Sequence, residues 1–238
     1  MDKEEVPKDV NPLSILKLLD ASDLSSTTGR KTWNAALVTK EYLRRKGVSG
    51  KRILDVSSGN GFLAIALLLL GAKKVYATEC PKCVKLLQAN LTENFGAASA
   101  KTKVIEYSWG DDYSKVSSSV EEEEALDAVV FSDLLYICFR DDILSLFETT
   151  MLDLLPESEE REGLFCYEAR LMEREQNFID QFLMKHFDVN EVDCGAENLL
   201  DACQETEQGE VDCGELSIFY QPPPVRLLIL KRKKRGLI

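Results

Sequence analysis

The segment Asp55-Val56-Ser57-Ser58-Gly59-Asn60-Gly61 crowds a carboxylate, two hydroxyls and two glycines into one turn, and Glu79 closes the next short apolar run. That spacing suits a nucleoside ligand. Small residues let a ligand approach the backbone, and an acid ending a second strand can accept both hydroxyls of a ribose. The three-glycine dinucleotide fingerprint is missing: Ser57 stands where its first glycine would be, and no glycine closely follows Gly61. The pattern therefore favours S-adenosylmethionine over a nicotinamide or flavin cofactor. A plain strand–turn–helix with no ligand is the alternative.

Other reactive constellations are weaker. His186 is the only histidine, and it lies far from any nucleophile motif, so it reads as a surface or half-buried side chain. Cys80-Pro81-Lys82-Cys83 is a lone CxxC at a helix start, where a low thiol pKa is conceivable. A zinc site needs two more ligands, and there is no second CxxC, so no metal is expected and the thiols are read as lining a crevice.

The elements that position these residues alternate. Strands are expected at 52–57, 73–78, about 102–107, 127–132, 163–168 and 187–192. Between them come helices at 61–71, 81–95, 140–155 and 170–186, the last with Phe178, Ile179, Phe182 and Leu183 inward. Upstream, a short amphipathic helix spans 12–20, and Thr32 caps a helix from Trp33 to Arg45 that Gly47 stops. Residues 194–215 read as an acidic insertion. Leu216–Tyr220 and Val225–Lys231 are late strands, separated by Pro222-Pro223-Pro224. The alternation implies an α/β, Rossmann-like, doubly wound and mostly parallel seven-stranded sheet, with an antiparallel hairpin at one edge. Residues 1–50 form a cofactor-covering segment, and 51–238 form the main unit. In such sheets ligands bind at the carboxyl ends of the strands, which gathers Ser57–Gly61, Glu79, Trp109 and Ser132–Tyr136 around one crevice.

Composition bounds the partners. The chain has 238 residues, 45% of them apolar, and a net charge of −12. That surface repels nucleic acid and attracts a basic protein. The longest apolar run, Phe62–Leu70, is too short to span a bilayer, and Met-Asp-Lys-Glu-Glu carries no secretory core. Seven scattered cysteines suit reduced thiols. A cytoplasmic monomer is expected. The basic stretch Lys231-Arg232-Lys233-Lys234-Arg235 reads as a solvated strand end or as a nuclear address, and Glu121–Glu124 as a solvated loop.

Five segments match one family in order and spacing: Thr28-Gly29-Arg30-Lys31-Thr32-Trp33-Asn34-Ala35-Ala36, Leu54–Gly61, Ala77-Thr78-Glu79, Ser108-Trp109-Gly110-Asp111 and Ser132-Asp133-Leu134-Leu135-Tyr136. Together they resemble the seven-β-strand protein-lysine methyltransferases of "family 16", well over residues 23–170 and loosely beyond. The resemblance implies S-adenosylmethionine as cofactor and a lysine ε-amine of a folded protein as acceptor. The segment around Thr28 looks most like members acting on translation elongation factors. A small-molecule N-methyltransferase of nicotinamide type, or an inactive cofactor-binding module, is the alternative. The family commonly has glycine at the position of Ser57, so this chain departs there.

Roles follow beside that resemblance, which puts Trp33 at the cofactor's edge. Asp55 can receive an ammonium or order the loop amides. Ser57, Ser58, Gly59 and Gly61 would offer backbone to the cofactor, and Ser132 a hydroxyl or backbone contact. Glu79 would hold the ribose, and Trp109 would flank adenine or be plain core. Asp133 and Tyr136 are the catalytic candidates: a carboxylate and a phenol can orient an amine and favour its developing charge. A helix cap and a packing ring are their bland alternatives.

Overall fold

In the computed structural model, residue 18 and residues 28–97, 99–120, 125–157, 161–201 and 223–234 are described. Seven strands form one sheet in the order β3-β2-β1-β4-β5-β7-β6. They are β1 (Arg52–Val56), β2 (Lys74–Glu79), β3 (Thr102–Glu106), β4 (Ala128–Ser132), β5 (Glu162–Glu168), β6 (Phe187–Val192) and β7 (Val225–Arg232). The first five run parallel, and β7 is antiparallel to both β5 and β6. Alternate strand residues serve opposite faces. Ile53, Val75, Val130, Leu164 and Ile229 pack on one side with α1 (Asn34–Lys46), α2 (Phe62–Leu69) and α3 (Val84–Phe95). Leu54, Tyr76, Phe131, Phe165 and Leu228 pack on the other. That second face is covered by α5 (Leu135–Arg140), α6 (Leu144–Leu154) and α7 (Met172–Phe178). With both faces covered, the central strands read as unbroken apolar runs.

The six alternating strands and the late strand at 225–231 are present, and the antiparallel edge is made by β7 with β6. The proposed strand Leu216–Tyr220, the helix at 12–20, Glu121–Glu124 and most of the insertion at 194–215 lie outside the described residues. Two helix expectations need correction. Thr32 does not cap α1: Trp33 is the cap residue, without a side-chain capping hydrogen bond, and the Thr32 hydroxyl accepts from Asn60 Nδ2 at 3.0 Å. The helix expected at 140–155 is α6, which starts only at Leu144, and α5 before it was not foreseen. The chain breaks at Asp141-Asp142, where Asp142 takes a left-handed conformation (φ +53°) that short polar side chains tolerate. A short α4 (Ser114–Ser117) was not foreseen. Helix α7 continues through a π-helical turn, Ile179–Leu183, and a last turn, Met184–His186. Its four expected inward residues are all buried. Among the described residues no helix is long and apolar enough to cross a membrane.

β1 lies between β2 and β4, so the chain's direction of winding reverses there, and a crevice opens beyond the carboxyl ends of these strands. The turn after β1 lines it. Gly59 has φ +58°, and a β-carbon there would sit 3.0 Å from the Gly29 carbonyl. A side chain at Gly61 (φ +82°) would strike Leu87 Cδ1 at 2.8 Å. The second glycine thus serves the approach of α2 to α3.

Candidate active site

A cavity of about 520 Å³ occupies the crevice. Trp33, Asp55, Ser57, Ser58, Gly59, Glu79, Trp109, Ser132 and Asp133 all line it. Gly61 and Tyr136 do not: Gly61 is turned to α3, and Tyr136 lies outside the wall, 37% exposed.

At one end stands Glu79, the last residue of β2. Its Oε2 accepts the Gly59 amide at 2.7 Å and its Oε1 accepts the Cys80 amide at 2.8 Å. Two backbone donors fix the carboxylate, and each oxygen keeps a lone pair free of them. The turn amides face inward. Ser57 N donates to Thr78 Oγ1 and Ser58 N to the Thr78 carbonyl. With Gly59 N on Glu79, all three amides donate within the protein. What the turn offers is small surface.

The departure at Ser57 has a structural account. Ser57 keeps the glycine-like backbone (φ +55°), and its hydroxyl accepts Trp109 Nε1 at 3.0 Å. That bond fixes the indole edge, while the ring lies 4.8 Å from the Phe147 ring, centroid to centroid. Asn60 is a hub. Its Nδ2 donates to Thr32 Oγ1 and the Arg30 carbonyl, its Oδ1 accepts the Phe62 amide, and its carbonyl accepts Asn90 Nδ2. The turn is thereby tied to the segment before α1 and to α3.

Asp55 is buried, and burial pushes its carboxyl up to about 7. The Ser58 hydroxyl partly offsets this, and the Glu79 charge adds to it. Asp55 Oδ2 and Ser132 Oγ are both buried without a hydrogen-bond partner, and both residues line the cavity. Orphaned buried acceptors are costly unless something completes them. A ligand carrying an ammonium and hydroxyls meets that need, so this donor set fits an aminoacyl nucleoside.

The other end is charged. Asp133, also left-handed (φ +58°), follows β4. Arg170 grips it with two hydrogen bonds, Nη1 to Oδ1 at 3.0 Å and Nη2 to Oδ2 at 2.9 Å, and the Glu168 amide donates to Oδ1. Arg170 also pairs with Glu168 Oε2 at 2.9 Å, and Glu168 Oε1 accepts the Asn34 amide. The guanidinium lies 5.2 Å from the Trp33 ring and 5.3 Å from the Tyr136 ring. Burial raises the Glu168 carboxyl, and the Asp133 charge adds to that. Despite burial, Asp133 and Glu168 hold Arg170 above its usual value. Two carboxylates and one guanidinium leave one net negative charge beside two aromatic rings. Sequence reasoning missed Arg170 and Glu168. Their signal was an acid and a base, Glu168-Ala169-Arg170, closing an apolar strand next to β4.

The thiols of Cys80 and Cys83 line the cavity, as expected. Burial, with the Glu79 charge, pushes the Cys80 thiol up to about 11, which suppresses the thiolate that redox exchange requires. His186 is half-buried, its ring 5.1 Å from that of Phe182.

A family model described as lysine methyltransferase matches residues 13–185. The Candida glabrata protein N-terminal and lysine N-methyltransferase EFM7 is 27% identical over 147 residues, which are 59% of this chain and 54% of that one. The Danio rerio protein N-lysine methyltransferase METTL21A is 27% identical across 67% of this chain and 69% of its own. Against the three EFM7 relatives compared, the chain spans about half of their length. The crystal structure of a proposed RNA methyltransferase from Pyrococcus horikoshii has the same fold, with a TM-score of 0.51 at 19% identity, covering 92% of this chain and 95% of the other.

Proposed function

Because the chain belongs to the lysine methyltransferase family, we propose that it transfers a methyl group from S-adenosylmethionine to a lysine side chain of a folded protein. The observation that carries this reading is one continuous cavity that joins a nucleoside-type end, Glu79 and Trp109, to the anionic, aromatic end at Asp133 and Trp33. The cofactor, when bound, supplies an electrophilic sulfonium methyl. Glu79 would hold the ribose hydroxyls, Trp109 would flank the base, and Asp55 and Ser132 would meet the methionine end with their buried oxygens.

The protein's remaining task is to present a neutral amine in line with that methyl. A lysine entering the mouth leaves bulk water, which favours loss of its proton to solvent. The net charge of the Asp133–Arg170–Glu168 cluster and the ring of Trp33 then stabilise the positive charge that develops on the amine. Arg170 is a positioning residue here: it holds the side chains of Asp133 and Glu168 side by side. Tyr136, packed on the far side of the guanidinium, contributes at the rim.

The acidic surface favours a basic substrate protein, and the Thr28–Ala36 segment favours a translation elongation factor. Incubation with radiolabelled S-adenosylmethionine and a cell lysate should label a discrete protein band whose intensity falls as salt screens the charges. Turnover of nicotinamide with no labelled band would replace this reading by small-molecule methylation.

A further inference from the structure

Glu79, Cys80 and Cys83 place a carboxylate oxygen and two thiol sulfurs within 4.8 Å of one another. Around one tetrahedral zinc ion the two sulfurs would be roughly 3.8 Å apart, given Zn–S distances of about 2.3 Å. Side-chain rotation alone can close that gap. The corner that carries them is rigid. Cys80 directly follows β2, and the Cys83 amide donates back to the Cys80 carbonyl at 3.0 Å, as does the Val84 amide. The Gly59 and Cys80 amides fix the carboxylate. All three residues line the cavity, which leaves solvent access for a fourth ligand. Sequence spacing alone hides this trio, because Glu79 reads as a ribose acid and a lone CxxC supplies only two ligands.

We propose that Glu79, Cys80 and Cys83 form a site for a thiophilic divalent cation of the zinc type, whose occupancy excludes the nucleoside cofactor. Binding takes two thiolates and one carboxylate oxygen, releases two protons to solvent and leaves a water as fourth ligand, with no change of oxidation state. Soft sulfur donors select zinc over magnesium or calcium. Exclusion follows because the cation, reached by rotation of the two thiols, occupies the free lone pair of the same carboxylate that is proposed to hold the ribose. This part rests on the cofactor reading above, whereas the metal site itself does not.

The test uses the full, metal-free protein. Titration with Co2+ should give the near-ultraviolet thiolate-to-cobalt absorption, and Zn2+ should abolish it. Cys80→Ser and Cys83→Ser should each lose it while melting near the wild-type temperature. S-Adenosylhomocysteine should bleach the cobalt band. In calorimetry its apparent Kd should rise about elevenfold at a free Zn2+ concentration ten times the zinc Kd, the arithmetic of competition at one site. A thiolate band that survives in both serine variants, or no band at all, overturns the metal site. Cobalt and S-adenosylhomocysteine binding together without mutual effect overturns the exclusion. Failure of S-adenosylhomocysteine to bind the metal-free protein overturns the cofactor reading and the exclusion with it, while the cobalt spectrum still decides the metal site.

Discussion

Glu79 and Asp133 are both buried carboxylates at the ends of the strands that flank β1, yet they are held in different ways. Glu79 is fixed by two backbone amides from its own turn and the neighbouring one. Asp133 is fixed mainly by the side chain of Arg170, which arrives from the end of β5. A carboxylate on backbone donors is as rigid as the fold. One held by another side chain depends on that partner's charge and can respond when a cation approaches. The nucleoside end is thus built to bind, and the acceptor end to adjust electrostatically.

The largest effect should separate the two ends kinetically. Asp133→Asn is expected to lower single-turnover rates about a hundred- to thousandfold, roughly 2.7–4 kcal/mol for an oriented charge-stabilising group, whereas Tyr136→Phe, which keeps the ring at the rim, should cost far less. Affinity for S-adenosylhomocysteine should stay within a few fold. A rate that merely tracks the folded fraction would reduce Asp133 to a clamp. Next, Arg170→Met leaves Asp133 and Glu168 buried without their cation. Stability should fall by about 3 kcal/mol, the low end for breaking a buried pair because Arg170 retains some solvent. Glu168, already raised by burial and by the Asp133 charge, loses the cation that offsets this, so the deficit in urea unfolding should shrink as pH falls from 7 to 5.

At the nucleoside end, Glu79→Ala should weaken cofactor binding by about 1.5–3 kcal/mol in calorimetry, with little change in the rate at saturating cofactor. An equal loss of rate at saturation would erase the division of labour. Asp55→Asn should move stability in the opposite direction from Arg170→Met. A carboxyl raised to about 7 stabilises the fold below its unfolded value near 4, and that contribution is lost as pH rises toward 7. Removing the charge recovers up to about 4 kcal/mol above pH 7, and an unpaired amide returns about 1–3 of it. A net gain of about 2 kcal/mol is expected in thermal melts of the cofactor-free protein at pH 8, turning into a net loss near pH 4, where the carboxyl is already protonated and only the amide's cost remains. The smallest effect belongs to Ser57→Gly. Relief of left-handed strain and loss of the Trp109 bond each amount to about 1 kcal/mol. Stability should change by less than about 0.5 kcal/mol, with Trp109 fluorescence less sensitive to the cofactor.

The same contrast explains what could be read beforehand. The sheet was legible because apolar runs with both faces buried mark parallel strands, and Glu79 was legible because its place follows from strand order. Arg170 was not, since no periodicity announces a side chain that reaches from the end of β5 to the end of β4. The inward turn amides were hidden for a related reason: Thr78 and Glu79, which bind them, come twenty residues later.

The place of β7 carries a consequence for how the protein comes into being. It follows the other six strands in the chain yet lies between β5 and β6. Until it emerges, β5 has one bare edge and β6 has no partner in the sheet, an invitation to wrong pairing. β7 also anchors the strand that delivers Glu168, and the Pro224 carbonyl beside it accepts the Ala169 amide. During synthesis the turn that carries Glu79 can therefore form well before the cluster around Asp133 is secured. A ribosome-bound chain would acquire the means to hold a nucleoside before the means to use it.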